Sequence, residues 1–461
     1  VKSLLERSVF KSVADSIEDD ISSNTESKSN TLNKQTYDNS NQTIETIEKS
    51  GKWYIDSLLN NSLGKPKKWV SDPDLTFEYS VNNSTVVSYS FPGLGTTTPL
   101  YSYEDDRGEI SAIPFSSAQA DDIRQAFKEI SKFVNITFVE IEEDGSSAGT
   151  IRLAMNTITD EAGNYREGIA ATADPPSEEP RGGDVFFNKQ FTSGNFSTGL
   201  VQNSETGVGD VTVLYHEIFH ALGMEHPGDN KETLFQESKN SREYTVMADE
   251  FSLENGADFN LNGNNYTVAS TPMVYDIAPL QYLYGANMSH NASDTTYSYK
   301  PDTPFIETIW DAGGTDTLDF SNFSKANTIS LVDGEYSTIG FDVDWSMTDN
   351  LGIAFDAIIE NIIGGSGDDT IKGNNSNNNI DGGLGIDTVI YNDEYLNYSV
   401  TKDSAGSIKV NHSDTSSTTN EGIDTLSNIE KIQFTDQTIE TSSINNIDDR
   451  IYSREGTFLG N

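Results

Sequence analysis

The chain has 461 residues, enough for two or three domains with cores of their own. Its 73 acidic residues against 29 basic ones give a formal net charge of −44, a field that repels nucleic acid and anionic membranes and draws cations. There is no cysteine, so bound metal is the expected source of stability outside a cell, and no stretch is long and apolar enough to span a bilayer.

In chain order, residues 1–50 are polar, rich in Ser, Asn, Thr and Asp, and read as disordered. Leu5, Val9, Val13 and Ile17 recur every four residues and fit one short amphipathic helix. From Trp53 the chain reads as folded. Residues 86–92 predict a strand by β-branched and aromatic content. Residues 117–135 predict a helix, with Ala120, Ile123, Phe127, Ile130 and Val134 as its apolar stripe and Ser116 or Ser117 as N-cap. Strands follow over 136–141 and 150–154. Residues 168–173, containing Ile169, Ala170 and Ala171, predict a small-residue strand between polar loops.

Residues 210–222 predict a helix that buries Val211, Leu214, Ile218 and Leu222. His216 and His220, four apart, project from one face of it one turn apart, so both imidazoles can share a zinc ion. Glu217 beside the first is placed as the general base of a hydrolase. Gly223 is the residue type that ends a helix at positive φ, turning the chain so that His226 can return as a third ligand. Three protein nitrogens leave a coordination position open, the mark of a catalytic rather than a structural zinc.

Beyond Gly285 the chain changes to short strands separated by Gly, Asn and Asp. The nonapeptide G-G-x-G-x-D-x-U-x occupies residues 364–372 and 382–390, and residues 373–381 keep its phase with asparagines substituted. Stacked copies form a parallel β-roll that binds calcium between turns. Gly365 and Gly367 allow the tight turn and expose carbonyl oxygens, and Asp369 and Asp387 supply carboxylates to a hard cation. His290 and His412, in polar Asn/Ser-rich surroundings, read as solvated.

The run His216-Glu217-x-x-His220-x-x-Gly223-x-x-His226-Pro227-Gly228-Asp229, with Tyr244-Thr245-Val246-Met247 and residues 271–287 after it, resembles the serralysins, secreted bacterial metzincin proteases. The segment Trp310 to Thr317 and the Gly/Asp repeats resemble their calcium-binding C-terminal domain. The resemblance implies an α+β catalytic domain over residues 51–287, a twisted sheet with long helices. An all-β parallel roll and sandwich with a C-terminal cap would follow over 288–461, and residues 1–50 would be a removable pro-segment or a flexible tail. It implies Met247 as an apolar floor beneath the zinc, a substrate-pairing edge strand at Ile169, Ala170 and Ala171, and a calcium site from Asp294, Asp311, Gly313, Asp316 and Glu360.

It further implies a monomeric, secreted, zinc- and calcium-dependent endopeptidase that acts on proteins, meets a proteinaceous inhibitor and leaves the cell by one-step type I secretion. Three departures stand against this. The tyrosine two residues after the family's Met-turn methionine is Asp249 here, which is left to approach the zinc, to hydrogen-bond Tyr244 or a histidine, or to face solvent. Phe219 replaces a glycine, and residues 457–461 lack the family's acidic and apolar ending. A rival reading is therefore an exported calcium-binding surface or adhesion protein whose protease domain is inactive.

Overall fold

The computed structural model describes residues 43–60, 65–72, 75, 79–94, 104–105, 108–109, 112–143, 148–157, 170–179, 181–189, 196, 200–202, 211–229, 235–248, 265–343, 348–412 and 420–445. The helices with described bounds are α1 (Trp53–Asp56), α2 (Ser117–Phe133), α3 (Val211–Ala221) and α4 (Val274–Tyr284). Strands β1 (Ile44–Thr46) and β2 (Lys67–Trp69) pair antiparallel, Ile44 opposite Trp69. Ordered pairing thus begins inside the segment expected to be disordered. Residues 1–42, with the Leu5 to Ile17 pattern, lie outside the described residues, as do residues 446–461.

The main sheet of the first half joins β3 (Thr85–Ser90), β6 (Ile136–Glu140), β7 (Ile151–Asn156), β8 (Ala171–Ala173) and β9 (Asp184–Asn188) in the order β6-β3-β7-β9-β8. Four strands run parallel and β8 runs antiparallel at the edge. The short pairs β4 (Glu104–Asp105) with β5 (Gly108–Glu109) and β10 (Leu200–Gln202) with β11 (Asn265–Thr267) lie apart from it. Helix α2 is the crossover from β3 to β6, and its apolar stripe Ala120, Ile123, Phe127 and Ile130 is buried. Ser116 caps it in a reciprocal box with Gln119. The helix stops at Phe133 because Val134 turns extended and bridges to Ala286. Helix α3 packs against β8 and β9 on one side and α2 on another.

The second half is built from three-residue strands. One sheet takes β12 (Thr296–Ser298), β14 (Thr317–Asp319), β18 (Asn361–Ile363), β20 (Asn379–Asp381) and β24 (Ile423–Ser427) in parallel, then β23 (Ile408–His412) and β22 (Tyr398–Lys402) antiparallel. A second takes β15 (Thr328–Ser330), β19 (Thr370–Lys372), β21 (Thr388–Ile390) and β25 (Lys431–Gln433) in parallel, with β26 (Thr438–Glu440) antiparallel at its edge. A smaller sheet, in the order β13 (Glu307–Ile309), β17 (Leu351–Ile353), β16 (Tyr336–Ser337), takes strands interspersed among these in sequence.

Successive repeat strands alternate between the two large sheets, and each places one aliphatic side chain inward. Leu318, Ile362, Ile380 and Leu426 stand in register in the first sheet, and Ile329, Ile371, Val389 and Ile432 in the second, all at most 1% exposed. These two columns explain why the nonapeptide needs an apolar residue at one fixed position: a three-residue strand has one inward side chain to contribute.

One expectation is corrected here. His412 is buried: its ring stacks on Tyr398, Nδ1 accepts the backbone N–H of Glu421 at 3.2 Å and Nε2 faces Asp393 at 3.3 Å. It ends a strand whose neighbours on that face are aromatic, so polar flanks in the sequence misled. His290 is half-buried.

Candidate active site

Helix α3 holds His216, Glu217 and His220 on the face opposite its Leu214 and Ile218 anchors, and all five side chains are buried. Its last carbonyls are capped by buried aromatic donors: Trp69 Nε1–H to Ala221 at 2.7 Å and Tyr284 O–H to Leu222 at 2.8 Å. The chain then reverses at Gly223, whose φ is +110°. A Cβ there would stand 2.5 Å from the carbonyl oxygen of Lys67, so only glycine fits. The returning strand is held by the N-terminal segment. Leu59 bridges Met224, the N–H of Glu225 donates to Leu58, and Asn60 Nδ2 donates to Glu225 at 2.8 Å.

This reversal brings His226 back to the helix. The three Nε2 atoms of His216, His220 and His226 lie 3.0–3.1 Å from one another. Each Nδ1 has its own partner: Val246 O at 2.8 Å for His216, Met224 O at 3.0 Å for His220 and the Asp229 carboxylate at 3.0 Å for His226. A carbonyl only accepts, so His216 and His220 carry their protons on Nδ1 and turn Nε2 lone pairs toward the shared point. Burial and the neighbouring imidazoles hold His216 well below the usual histidine range, and burial with His226 takes His220 down to about 4. Neutral lone pairs so close repel unless a cation lies between them. The donor set suits zinc, which takes imidazole nitrogen at about 2.0–2.1 Å in tetrahedral sites and leaves room here for a fourth ligand.

Glu217 is 6% exposed and has no protein hydrogen bond among the described residues. Burial pushes its carboxyl up to about 8, and a divalent cation beside it would act in the opposite direction. Phe219 fills the core, stacked on Tyr215, so the family's missing glycine is absorbed by packing.

Met247 is fully buried in the turn after Tyr244. That turn rests on Asp276, a residue that spacing did not single out. Asp276 accepts Thr245 Oγ1–H at 2.6 Å, Val246 N–H at 3.0 Å and Met273 N–H at 2.9 Å. An aspartate inside the apolar run Met273 to Ala278 was the available signal. Tyr244 donates its hydroxyl to Asp349. Asp249 lies outside the described residues, as does Ile169. Ala170 and Ala171 lie at the edge of the sheet, where the N–H of Asn188 donates to Ala170 O at 2.8 Å.

The expected calcium residues fall into two clusters. In the first, Gly313 N–H and Tyr297 O–H donate to Asp311, Thr295 N–H to Asp316, Asp316 N–H to Glu360 and Thr315 N–H to Asp294. In the second, Asp369 accepts from Gly365 N–H and twice from Asn327, Asp387 accepts from Asp369 N–H, and Glu430, missed in the sequence, accepts from Asp387 N–H. Gly367 packs where a Cβ would meet Lys325 O at 2.4 Å. Asp316 Oδ2 and Asp387 Oδ2 are buried with no donor among the described residues, and Asp316 faces the Asp311 carboxylate. Burial and neighbouring carboxylates push both acids up to about 7. Orphaned, crowded carboxylate oxygens of this kind suit a hard cation.

A parallel sheet closed by an antiparallel edge strand, over a helix with this three-histidine reversal and a buried methionine turn, defines the metzincin class of zinc metallopeptidases. The matrixin family model matches residues 110–253, and the peptidase M10 serralysin C-terminal model matches residues 277–451. The chain is 30% identical to serralysin of Proteus mirabilis over 369 residues, 73% of this chain and 70% of the relative. It is 33% identical to serralysin G of Dickeya chrysanthemi over 290 residues, 58% of this chain and 56% of the relative. Against metalloprotease AprA of Pseudomonas entomophila it is 29% identical over 319 residues, 64% of this chain and 60% of the relative. The chain belongs to the serralysin family. Its alignments span 56–70% of these relatives' lengths.

Proposed function

We propose that this protein is a secreted zinc-dependent endopeptidase, stabilised by calcium bound in a parallel β-roll. The observation that carries the reading is the convergence of three Nε2 atoms at 3.0–3.1 Å beside a buried, unpaired Glu217 carboxyl. His216, His220 and His226 would hold the zinc, which supplies Lewis acidity at the scissile carbonyl when bound. The Nδ1 partners orient the three rings toward the shared point before the ion is bound. Glu217 takes the proton of the attacking water and returns it to the leaving amine, the base and acid roles that one carboxylate can fill in turn.

An extended peptide would add to the edge strand beside Ala170 and Ala171 through backbone hydrogen bonds. That explains tolerance of many substrate sequences. The alternating parallel strands with glycine turns support the β-roll, and the two orphaned aspartate oxygens support calcium there. Among the described residues no helix is long and apolar enough to cross a membrane. Family membership supports export.

Casein hydrolysis with zinc and calcium, run beside Glu217→Gln, tests the reading. Activity in the wild type that falls at least about 100-fold in the variant, with zinc content equal, is the expected result. Absence of cleavage by folded, zinc-loaded wild type would overturn it.

A further inference from the structure

The turn over residues 373–378 lies between the two carboxylate turns in sequence but on the opposite edge of the stack, between Glu360 and Asp424, and its polar atoms are arranged differently. Asn374 Nδ2 donates to the carbonyls of Leu331 at 3.1 Å and Ile359 at 2.8 Å. Asn378 Nδ2 donates to the carbonyl of Glu360 at 3.1 Å and to Asn374 Oδ1 at 2.9 Å. Asn374 Oδ1 also takes the N–H of Ser376 at 2.9 Å, and Asn378 Oδ1 takes the N–H of Asn374 at 2.9 Å. On the next turn out, Asp424 accepts Asn378 N–H on one oxygen and Tyr391 O–H on the other. The side-chain acceptors of Asn374, Asn378 and Asp424 are therefore each met by a protein donor. The two carboxylate clusters each leave a buried carboxylate oxygen, Asp316 Oδ2 and Asp387 Oδ2, with no donor among the described residues.

We propose that Asn374 and Asn378 staple this turn with their side-chain amides in place of a cation, so the repeat stack needs calcium at its carboxylate turns and not here. An amide places two N–H donors against carbonyl oxygens that a hard cation would otherwise draw together. It does so without charge, so the turn gains its cross-links before calcium is met. Position 378 is the one that carries Asp369 and Asp387 in the neighbouring repeats. There the change from carboxylate to carboxamide converts an acceptor that needs a cation into a donor that replaces one. The consequence is a stack that holds together at this turn in calcium-poor surroundings while the turns at 364–369 and 382–387, on the opposite edge, await the ion.

The inference rests on reading those flanking turns as calcium sites, and hydrogen exchange on the full chain separates the two claims. In EGTA the amides of Asn374, Ser376 and Asn378 are expected to stay protected, while those of Gly365 and Asp369 lose protection by at least about tenfold. Equal loss at both sets overturns the proposal. No loss at Gly365 and Asp369 sinks the calcium reading and the contrast with it. Asn378→Asp would set a carboxylate against the Glu360 carbonyl. It is expected to bind one more calcium per chain and to melt below the wild type in EGTA, and behaviour identical to wild type in both respects overturns the proposal. Asn374→Ala adds no charge. It is expected to lose protection at Ser376 and Asn378, with no recovery on adding calcium, and unchanged protection there overturns the proposal.

Discussion

His216 donates Nδ1–H to the carbonyl of Val246 at 2.8 Å, and the N–H of that same Val246 is held by the Asp276 carboxylate at 3.0 Å. The first histidine of the site is thus oriented through the backbone of one residue by a buried acid on a different helix. Thr245 and Met273 add two more donors to Asp276, so the methionine turn, helix α4 and His216 move together.

Asp276→Asn should loosen that linkage, because the amide keeps one acceptor oxygen where the carboxylate uses two, one for the Val246 and Met273 N–H groups and one for the Thr245 hydroxyl. The expected cost is about 1–3 kcal/mol of stability and a loss of zinc affinity of about 10–100-fold, as for groups that orient metal ligands. Competition with a chelator, read beside thermal melting, measures both. A variant that melts lower but retains zinc like the wild type would show that Asp276 only supports the fold.

Gly223→Ala should disable the reversal that returns His226. Its positive φ costs a side chain about 1–3 kcal/mol, and the added methyl would meet the Lys67 carbonyl at 2.5 Å. Zinc content after dialysis should fall well below one per chain. Full occupancy at wild-type stability would contradict the geometry.

Asp387→Asn should act in opposite directions with and without calcium. In EGTA the variant removes a buried, partnerless carboxylate oxygen beside Asp369 and Glu430, so it should melt above the wild type. In calcium it lacks a charged ligand and should melt below it. Melting curves that never cross would rule out a cation at this turn.

Asp424 gives a pH signature away from either cation cluster. Burial, aided by Glu421, pushes its carboxyl from 3.8 up to about 7. Between those values the folded state binds the proton and the unfolded chain does not, so stability falls as pH rises from about 4 through 7. Asp424→Asn, which cannot titrate, should lack that part of the slope in urea melts taken across the window. Equal slopes in both proteins would show that Asp424 is already ionised at low pH.

The sequence by itself determined what depends on local spacing. The histidines four apart on one helical face, the glycine after them, the apolar stripe of α2 and the nine-residue phase of the repeats are set by helical or strand periodicity, and the structure keeps these patterns except at Val134, where α2 has already ended and the backbone is extended. Tertiary structure alone decided what depends on residues distant in sequence. Asp276 reaches the methionine turn across about thirty residues, Leu58 to Asn60 brace the strand leading to His226 across more than 160, and β1 finds order only by pairing with β2. His412, read as solvated from its polar flanks, is buried because Tyr398 and Glu421 fold over it. Asparagines 374 and 378 read as a worn copy of the motif until their donors were seen against carbonyls from other turns. Periodicity is a property of the chain, whereas the partner of a buried polar group is fixed only when distant segments exclude water together.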